Sequence, residues 1–530
     1  MIKRALPLIC FLFASLCARA SDLYFGPTSA GSNSGTSCAN AYAYNDSAHG
    51  WSTSASQVAG NNLHVCPGSW TFGNGAVILT TANGGTSANP ITLIADQGSV
   101  TLKAGYFNAG GAIQITKPYW VINGVNYTNL TIENTSNGTR GGKCLEGSCS
   151  TQQASQFINF NYVNNVTIKN LSVVNNYVLT PGANDTWCFN NCQPANTSIE
   201  YLGSSNVQID HVLCHDTWNC FNGWGNNTVL SYTTVYNAAA ATWWIGAQSP
   251  MATGVVIHDN WWYGSGAWWT SGDDFHLENA HIENDPYTLS GMMIYNNKFG
   301  PENNDHYDRG AQTAHVYLSG SVSGLLFFNN ICANSPTDFM PCVEANNGFP
   351  KGSFFNNTFF VGAGQAGAEG YSFDDNTVTN ATFENNVVLQ GNGLVAQNGA
   401  FASGGLDFNA YDSGTQQQFG YHGNNEATLA QWQSATKQDA HAIYQSFASL
   451  KVNADGTLQS GSPIVGLGTN LNNLGITALQ TGAPQYFGVD GACGTGCVPR
   501  SSSGAWDAGA YPSGSGGGLN PPTGLVAVVK

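Results

Sequence analysis

Apolar positions along this chain fall in short alternating runs of Val, Ile, Phe, Thr and Tyr broken by Gly, Asn and Ser, and helical periodicity is nearly absent. The pattern predicts many short strands. Within it one phrase recurs, an apolar residue and its neighbour followed by two asparagines: Ile294-Tyr-Asn-Asn297, Phe327-Phe-Asn-Asn330, Phe354-Phe-Asn-Asn357 and Phe383-Glu-Asn-Asn386. Backwards along the chain the phrase decays but keeps its register through Ile257 to Asn260, Leu230 to Thr233, Ile209 to Val212 and Ile168 to Leu171. Its spacing varies from 21 to 41 residues. A constant phrase at irregular spacing predicts one rung per repeat with loops of unequal length between rungs, and the fold expected is all-β, a right-handed parallel β-helix. Asparagine suits such a bend because it tolerates left-handed backbone and its amide can bond the equivalent amide one rung along. Stacking accounts for the periodic placement of sequons such as Asn165-Val-Thr167 better than glycosylation does.

A second set of strands precedes the Asn-Asn bends and can be aligned: Cys220 to Trp224, Trp243 to Ala247, Asp274 to Glu278, His315 to Ser319, Cys342 to Asn346 and Tyr371 to Asp374. Alternation puts Phe275, Leu277, Val316, Leu318, Val343 and Ala345 inside. Asp274, His276, Glu278, His315, Tyr317, Ser319, Glu344, Asn346 and Asp374 are then expected outside, flanked by Asn222 and Trp224. Trp243, Trp244, Trp261, Trp262, Trp268 and Trp269 border the strip. Tryptophan faces stack on sugar rings while carboxylates and amides bond hydroxyls, so the strip suits a glycan.

Charged residues are only 9% of the chain. Residues 1–20 read as a secretory signal, with Lys3 and Arg4, an apolar run and Ala18-Arg19-Ala20 as the cleavage site; Leu16 argues against a lipid anchor on Cys17. Removing Lys3, Arg4 and Arg19 moves the net charge from -16 to -19. Such an acidic surface disfavours nucleic acid and anionic membranes as partners, and no later stretch is long and apolar enough to span a membrane. Twelve cysteines beyond the signal fall into near neighbours: Cys38 with Cys66, Cys144 with Cys149, Cys188 with Cys192, Cys214 with Cys220, Cys332 with Cys342, and Cys493 with Cys497. In a secreted chain these predict local disulfides rather than a zinc site.

The N-terminal Asp22-Leu-Tyr-Phe-Gly-Pro-Thr, His64 to Trp70 and Asn89 to Ile94 resemble the first coils of extracellular β-helix carbohydrate-active proteins. Leu458 to Pro463 followed by Trp506-Asp-Ala-Gly-Ala-Tyr511 resembles the closing segment of the same broad superfamily, whose scaffold is pectate-lyase-like and polygalacturonase-like. The expected organisation is a signal at 1–20, N-terminal capping coils at 21–110, a β-helix body at 111–425, a helical connector and closing segment at 426–512, and a Gly/Ser linker and tail at 513–530. The connector is expected to include an amphipathic helix from Thr428 to Leu450, with Leu429, Trp432, Ala435 and Ile443 on one side.

Fold class alone does not choose a reaction. The resemblance implies action on a polysaccharide by a secreted monomer. Hydrolysis is the first reading, with Glu278 or Asp274 facing Glu344 across two rungs, about 9.6 Å, and His276, His315 and Tyr317 orienting. Asp273-Asp274 resembles the paired aspartates of polygalacturonase-like hydrolases, whose accompanying Gly-His-Gly and Arg-Ile-Lys signatures are absent. The alternative is elimination from a uronate polymer, with His276 or His315 and Tyr317 moving protons and Arg309 or Lys298 neutralising the carboxylate. A third reading is a glycan-binding adhesin without catalysis. No cofactor is required by any of them; the oxygen-rich loop Glu302 to Asp308 is the place for a calcium ion if one binds, and no metal ligand set is defined.

Overall fold

The structure is a computed structural model and describes residues 20–73, 75–105, 110–134, 156–176, 197–217, 219–238, 243–246, 253–264, 278–301, 314–333, 342–346, 352–360, 371–375, 379–389, 392–396, 400–414, 419–422, 424–491 and 497–514. Its strands form two sheets of 25 and 13 strands. Pairing is parallel throughout both sheets except for the terminal Phe419–Tyr421 and Asn424–Glu426 pair. The chain is thus a parallel β-helix. A coil in its middle consists of three strands, Val316–Ser323 in the 13-stranded sheet, then Leu326–Phe328 and Ile331–Ala333 in the other. Coiling begins at once: Asp22–Gly26 pairs with Asn62–Val65, which pairs with Ile91–Ile94.

The repeated phrase makes the bend between the two strands of the larger sheet. Its third residue takes left-handed backbone in coil after coil, from Asn170 (φ 56) through His211, Tyr232, Asp259, Asn296, Asn329, Asn356 and Asn385 to Phe408 (φ 59). The conformation is kept where asparagine is not. The fourth residue points inward and is fully buried, as Leu171 and Val212 in early coils and as asparagine later. Asn260 Nδ2 donates to Asn297 Oδ1 at 2.9 Å, Asn297 to Asn330 at 3.0 Å, Asn330 to Asn357 at 3.2 Å, Asn357 to Asn386 at 2.9 Å and Asn386 to Asn409 at 3.4 Å. Each Nδ2 also donates to a main-chain carbonyl, such as Ile294 for Asn330 and Phe327 for Asn357. These buried amides are therefore satisfied, and the row of aligned dipoles is capped by Thr233 Oγ1 donating to Asn260 at one end and Asp439 accepting from Asn409 at the other. Phe327, Phe354 and Phe383 stack behind them, 5.5 and 6.1 Å apart.

The helix of the connector spans only Leu429–Thr436, capped by the Thr428 hydroxyl, which accepts from the Gln431 amide. Lys437 at φ 58 ends it, and Ile443–Gln445 is a strand paired with Ala410–Asp412, so the longer helix expected from Thr428 to Leu450 is corrected. Trp432, expected on the apolar side of the helix, is packed into the core at 0% exposure. Beyond Leu450 the chain runs back along the larger sheet. Leu471, Leu479 and Trp506 cover Phe328 and Phe355; Gly488 N–H donates to the Asp259 carbonyl, and Tyr127 OH donates to Asp490. Among the described residues, the bonds and apolar contacts of this closing segment fall on the larger sheet and its bends. Among the described residues, this segment leaves the outer face of the 13-stranded sheet uncovered.

Disulfides join Cys38 to Cys66, Cys214 to Cys220 and Cys332 to Cys342, with Cα atoms 5.5, 6.2 and 5.7 Å apart. They match three expected pairs and fit an oxidising compartment. Cys497 is also disulfide-bonded. Cys144, Cys149, Cys188, Cys192 and Cys493, like the signal segment through Arg19, lie outside the described residues. No helix among the described residues is long and apolar enough to cross a membrane.

Candidate functional site

Parallel pairing carries one outward position from strand to strand across the 13-stranded sheet, the register between Ala280–Ser290 and Val316–Ser323 shifting only beyond Glu283. The row runs Gln114, Asn159, Glu200, Asn222, Trp244, His281, Tyr317, Glu344, Asp374. The neighbouring register position, Ile113, Ile158, Ile199, Phe221, Ala280, Val316 and Val343, is buried in the core. Alternation thus puts the polar row on the open face. Tyr317 and Glu344 stand half-buried in it, one rung apart.

The rung before Tyr317 differs from the expectation. The strand there is Ala280–Ser290, not Asp274 to Glu278, and it places His281 beside Tyr317. Asp274 and His276 lie outside the described residues, as do Trp268, Trp269 and Arg309. Glu278 comes just before the strand, and its side chain is buried rather than outward. Its Oε2 is 3.3 Å from Nδ1 of His281, which is itself only 3% exposed. The His281 and Tyr317 rings lie 5.1 Å apart at 40°. His315 is also corrected: it sits in the corner ahead of Val316–Ser323, is fully buried, and its Nδ1 is 2.8 Å from Asn279 Nδ2. Its main-chain carbonyl accepts from the Asn279 and Ala280 amides, so it holds the corner closed. A buried carboxylate, an imidazole and a phenol therefore follow one another from the core to the open face.

Of the border tryptophans, Trp244 shares the row with Asn222 and His281, whereas Trp243 takes the register position of buried Phe221 and Ala280. Trp262 is a core residue donating to Thr233 Oγ1 at 2.8 Å. Trp261 lies on the larger sheet, with Lys298 Nζ 4.8 Å from its ring centre. Burial pushes the Lys298 ammonium down from its ordinary range, opposed by the Asp455 charge of the closing segment. Lys298 therefore cannot serve the open face. Asn346 pairs in register with Ser319, and Asp374 with Glu344.

No family model matches the chain, and no curated protein matches it. Solved structures similar to it include pectate lyase Pel9A, 14% identical over 93% of this chain and 97% of that one, with a TM-score of 0.39. A rhamnogalacturonan lyase is 13% identical over 87% and 99%, with a TM-score of 0.38. The GH136 lacto-N-biosidase from Eubacterium ramulus is 11% identical over 76% and 68%, with a TM-score of 0.37. The likeness extends to the fold alone.

The row also contains a carboxylate that the Asn-Asn register did not bring forward. Glu200 is 9% exposed and accepts from Asn161 Nδ2 at 2.6 Å, Asn159 Nδ2 at 2.9 Å and Gln156 Nε2 at 2.7 Å. Burial pushes its carboxyl above the usual range, and the three amides pull the other way. Its sequence signal was weak because Ser198-Ile-Glu-Tyr201 carries no asparagine phrase. Among the described residues no group of three or more His, Cys, Asp or Glu is arranged to hold a metal ion.

Proposed function

We propose that this protein is a secreted enzyme that cleaves a uronate-containing polysaccharide by β-elimination on the open face of the 13-stranded sheet. The observation that carries the reading is the sequence Glu278, His281, Tyr317 leading from the core to that face. Elimination needs a base for the C5 proton and an acid for the leaving O4, and one group can serve as each in turn. Tyr317 is the half-exposed member and is assigned that role. His281, held by the buried Glu278 carboxylate, takes the phenolic proton as the phenolate forms and gives it back afterwards. The C4–O4 bond breaks as the C4–C5 double bond forms, leaving an unsaturated uronate and a new reducing end. The substrate carboxylate needs a cation in the transition state. Arg309, in the segment that leads to the Tyr317 strand, is the residue assigned to it.

Glu344 and Asp374 favour a second reading, since they are directly paired on adjacent strands. Rungs about 4.8 Å apart approach the roughly 5 to 5.5 Å carboxyl separation of a retaining glycosidase. One assay separates the two. Uronate polymers should yield new reducing ends together with the ultraviolet absorbance of an unsaturated uronate; reducing ends without absorbance would replace elimination by hydrolysis, and glycan binding without either would leave an adhesin.

A further inference from the structure

Three rungs before His281, the same open face carries a group of side chains that the elimination chemistry does not use. Tyr162 is 74% exposed, the most exposed large hydrophobic residue described. Its ring meets that of Trp224 edge to face, 6.3 Å apart at 81°. They close over Gly203, at φ +67, where a Cβ would lie 2.6 Å from Tyr162 Cδ1 and 3.0 Å from Trp224 Cη2. The glycine is what lets the two rings meet. Beside them Glu200 gathers the Asn159, Asn161 and Gln156 amides, and the half-buried Asn222 amide occupies the next rung. Asn161 Oδ1 accepts from the Leu202 main-chain amide at 2.7 Å, which fixes that amide's orientation.

We infer that Tyr162, Trp224, Asn222 and the amides around Glu200 form a distal glycan subsite that takes a neutral sugar residue of the same polymer whose uronate reaches Tyr317. The inference rests on the reading of the Tyr317 face as the cleavage site. The row is continuous, running from Glu200 through Asn222 and Trp244 to His281. From Glu200 to Tyr317 is four rungs, about 19 Å, enough for several units of an extended glycan. An aromatic face set beside amides is the chemistry that holds a pyranose, by its C–H face and its hydroxyls. The Glu200 carboxylate sets the charge requirement. A second anion brought beside it would meet a like charge in a partly desolvated place, whereas a neutral hydroxyl meets only hydrogen-bonding groups. The substrate class is accordingly a heteropolymer in which neutral sugars separate the uronates, and not a homopolyuronate.

Affinity is to be measured on the Tyr317→Phe protein for polygalacturonate and alginate as pure polyuronates, and for gellan and hyaluronan as polymers with neutral sugars between uronates. The expected result is tighter binding of at least one mixed polymer, weakened about tenfold by Tyr162→Ala and by Trp224→Ala, and retained by Tyr162→Phe, which keeps the ring. Equal melting temperatures check that the exposed-ring variants fold. Unchanged affinity in both alanine variants, a preference for pure polyuronates, or no affinity for either mixed polymer overturns the inference. If the alanine variants lose binding while Tyr317→Phe turns over like the wild type, the elimination reading fails and the subsite stands. If elimination occurs and the alanine variants bind normally, the subsite fails and the elimination reading stands.

Discussion

Glu278 is buried at the foot of a strand with its Oε2 3.3 Å from Nδ1 of His281, the partner that a buried carboxylate needs. If Tyr317 transfers the proton, Tyr317→Phe removes it without removing the ring, and turnover should fall at least about 100-fold with an unchanged melting temperature. Glu278→Gln keeps the shape but not the charge behind His281. It should move the pH dependence of kcat/KM as well as lower it, and a lower rate with an unmoved profile would reduce Glu278 to a packing role. The two asparagines of one phrase should also behave differently. Asn296 holds left-handed backbone at φ 54 that glycine also adopts, so Asn296→Gly should cost about 1 kcal/mol, the loss of its 3.3 Å bond to Asp259 Oδ1. Asn297→Ala takes away the oxygen to which the Asn260 main-chain and side-chain amides donate, and removes the side-chain donor to the Asn330 oxygen and the Ile257 carbonyl; the Asn297 main-chain amide still donates to Asn330 Oδ1. That should cost about 3 kcal/mol or more, read as a fall in the urea midpoint.

Strand against strand, the larger sheet places Glu384 at the end of Thr379–Glu384 directly opposite Asp407 of Ala400–Asp407. Asp407 is also bonded by His441, through both its main-chain amide and its ring. Burial, then the Asp407 charge, pushes the Glu384 carboxyl up from 4.5 to about 7. A carboxyl whose folded pKa lies above its unfolded value binds its proton more tightly when folded. Its contribution is complete below the unfolded value and is lost as pH rises through about 7. Glu384→Gln should therefore raise the urea midpoint at pH 8, have little effect near pH 4, and flatten the pH dependence between. Phe383-Glu-Asn-Asn386 shows how far such elements were legible. The inward Phe383 and the Asn385-Asn386 bend are local signals that repeat, so the coils could be counted and registered from them. Asp274 to Glu278 carries the same alternation as a true rung, and nothing local distinguishes it from His281 and its neighbours. What decides is the burial of Glu278 and the pairing of His281 with Tyr317, a contact between residues on different coils. Tyr317 and Glu344 are half-buried while Val316, Leu318, Val343 and Ala345, apolar and alternating with them, are all buried.

At the scale of the whole molecule, the path of the closing segment was beyond the sequence because its anchors are bonds between distant residues. Arg500 is the chief of them. Buried, it donates from Nη1 to the Asp507 carbonyl at 3.1 Å, and from Nη2 to Asn329 Oδ1 at 3.0 Å and to the Gly509 and Ala510 carbonyls at 2.9 and 3.2 Å. Desolvation pushes its guanidinium down to about 9, against the Asp507 charge. The planar fork reaches acceptors on both the segment and the coil at once, which a lysine ammonium cannot do from the same stem. Arg500→Lys should thus cost about 3 kcal/mol and loosen the segment from the larger sheet, uncovering Phe328 and Phe355. The expected readout is a lower melting temperature with binding of a hydrophobic dye before global unfolding. Because the segment's contacts fall on the larger sheet and the Tyr317 row lies on the other, the specific activity of the folded fraction should be unchanged. A variant that melts normally would remove Arg500 as the anchor. One that stays folded but loses activity would show that the closing segment reaches the open face after all.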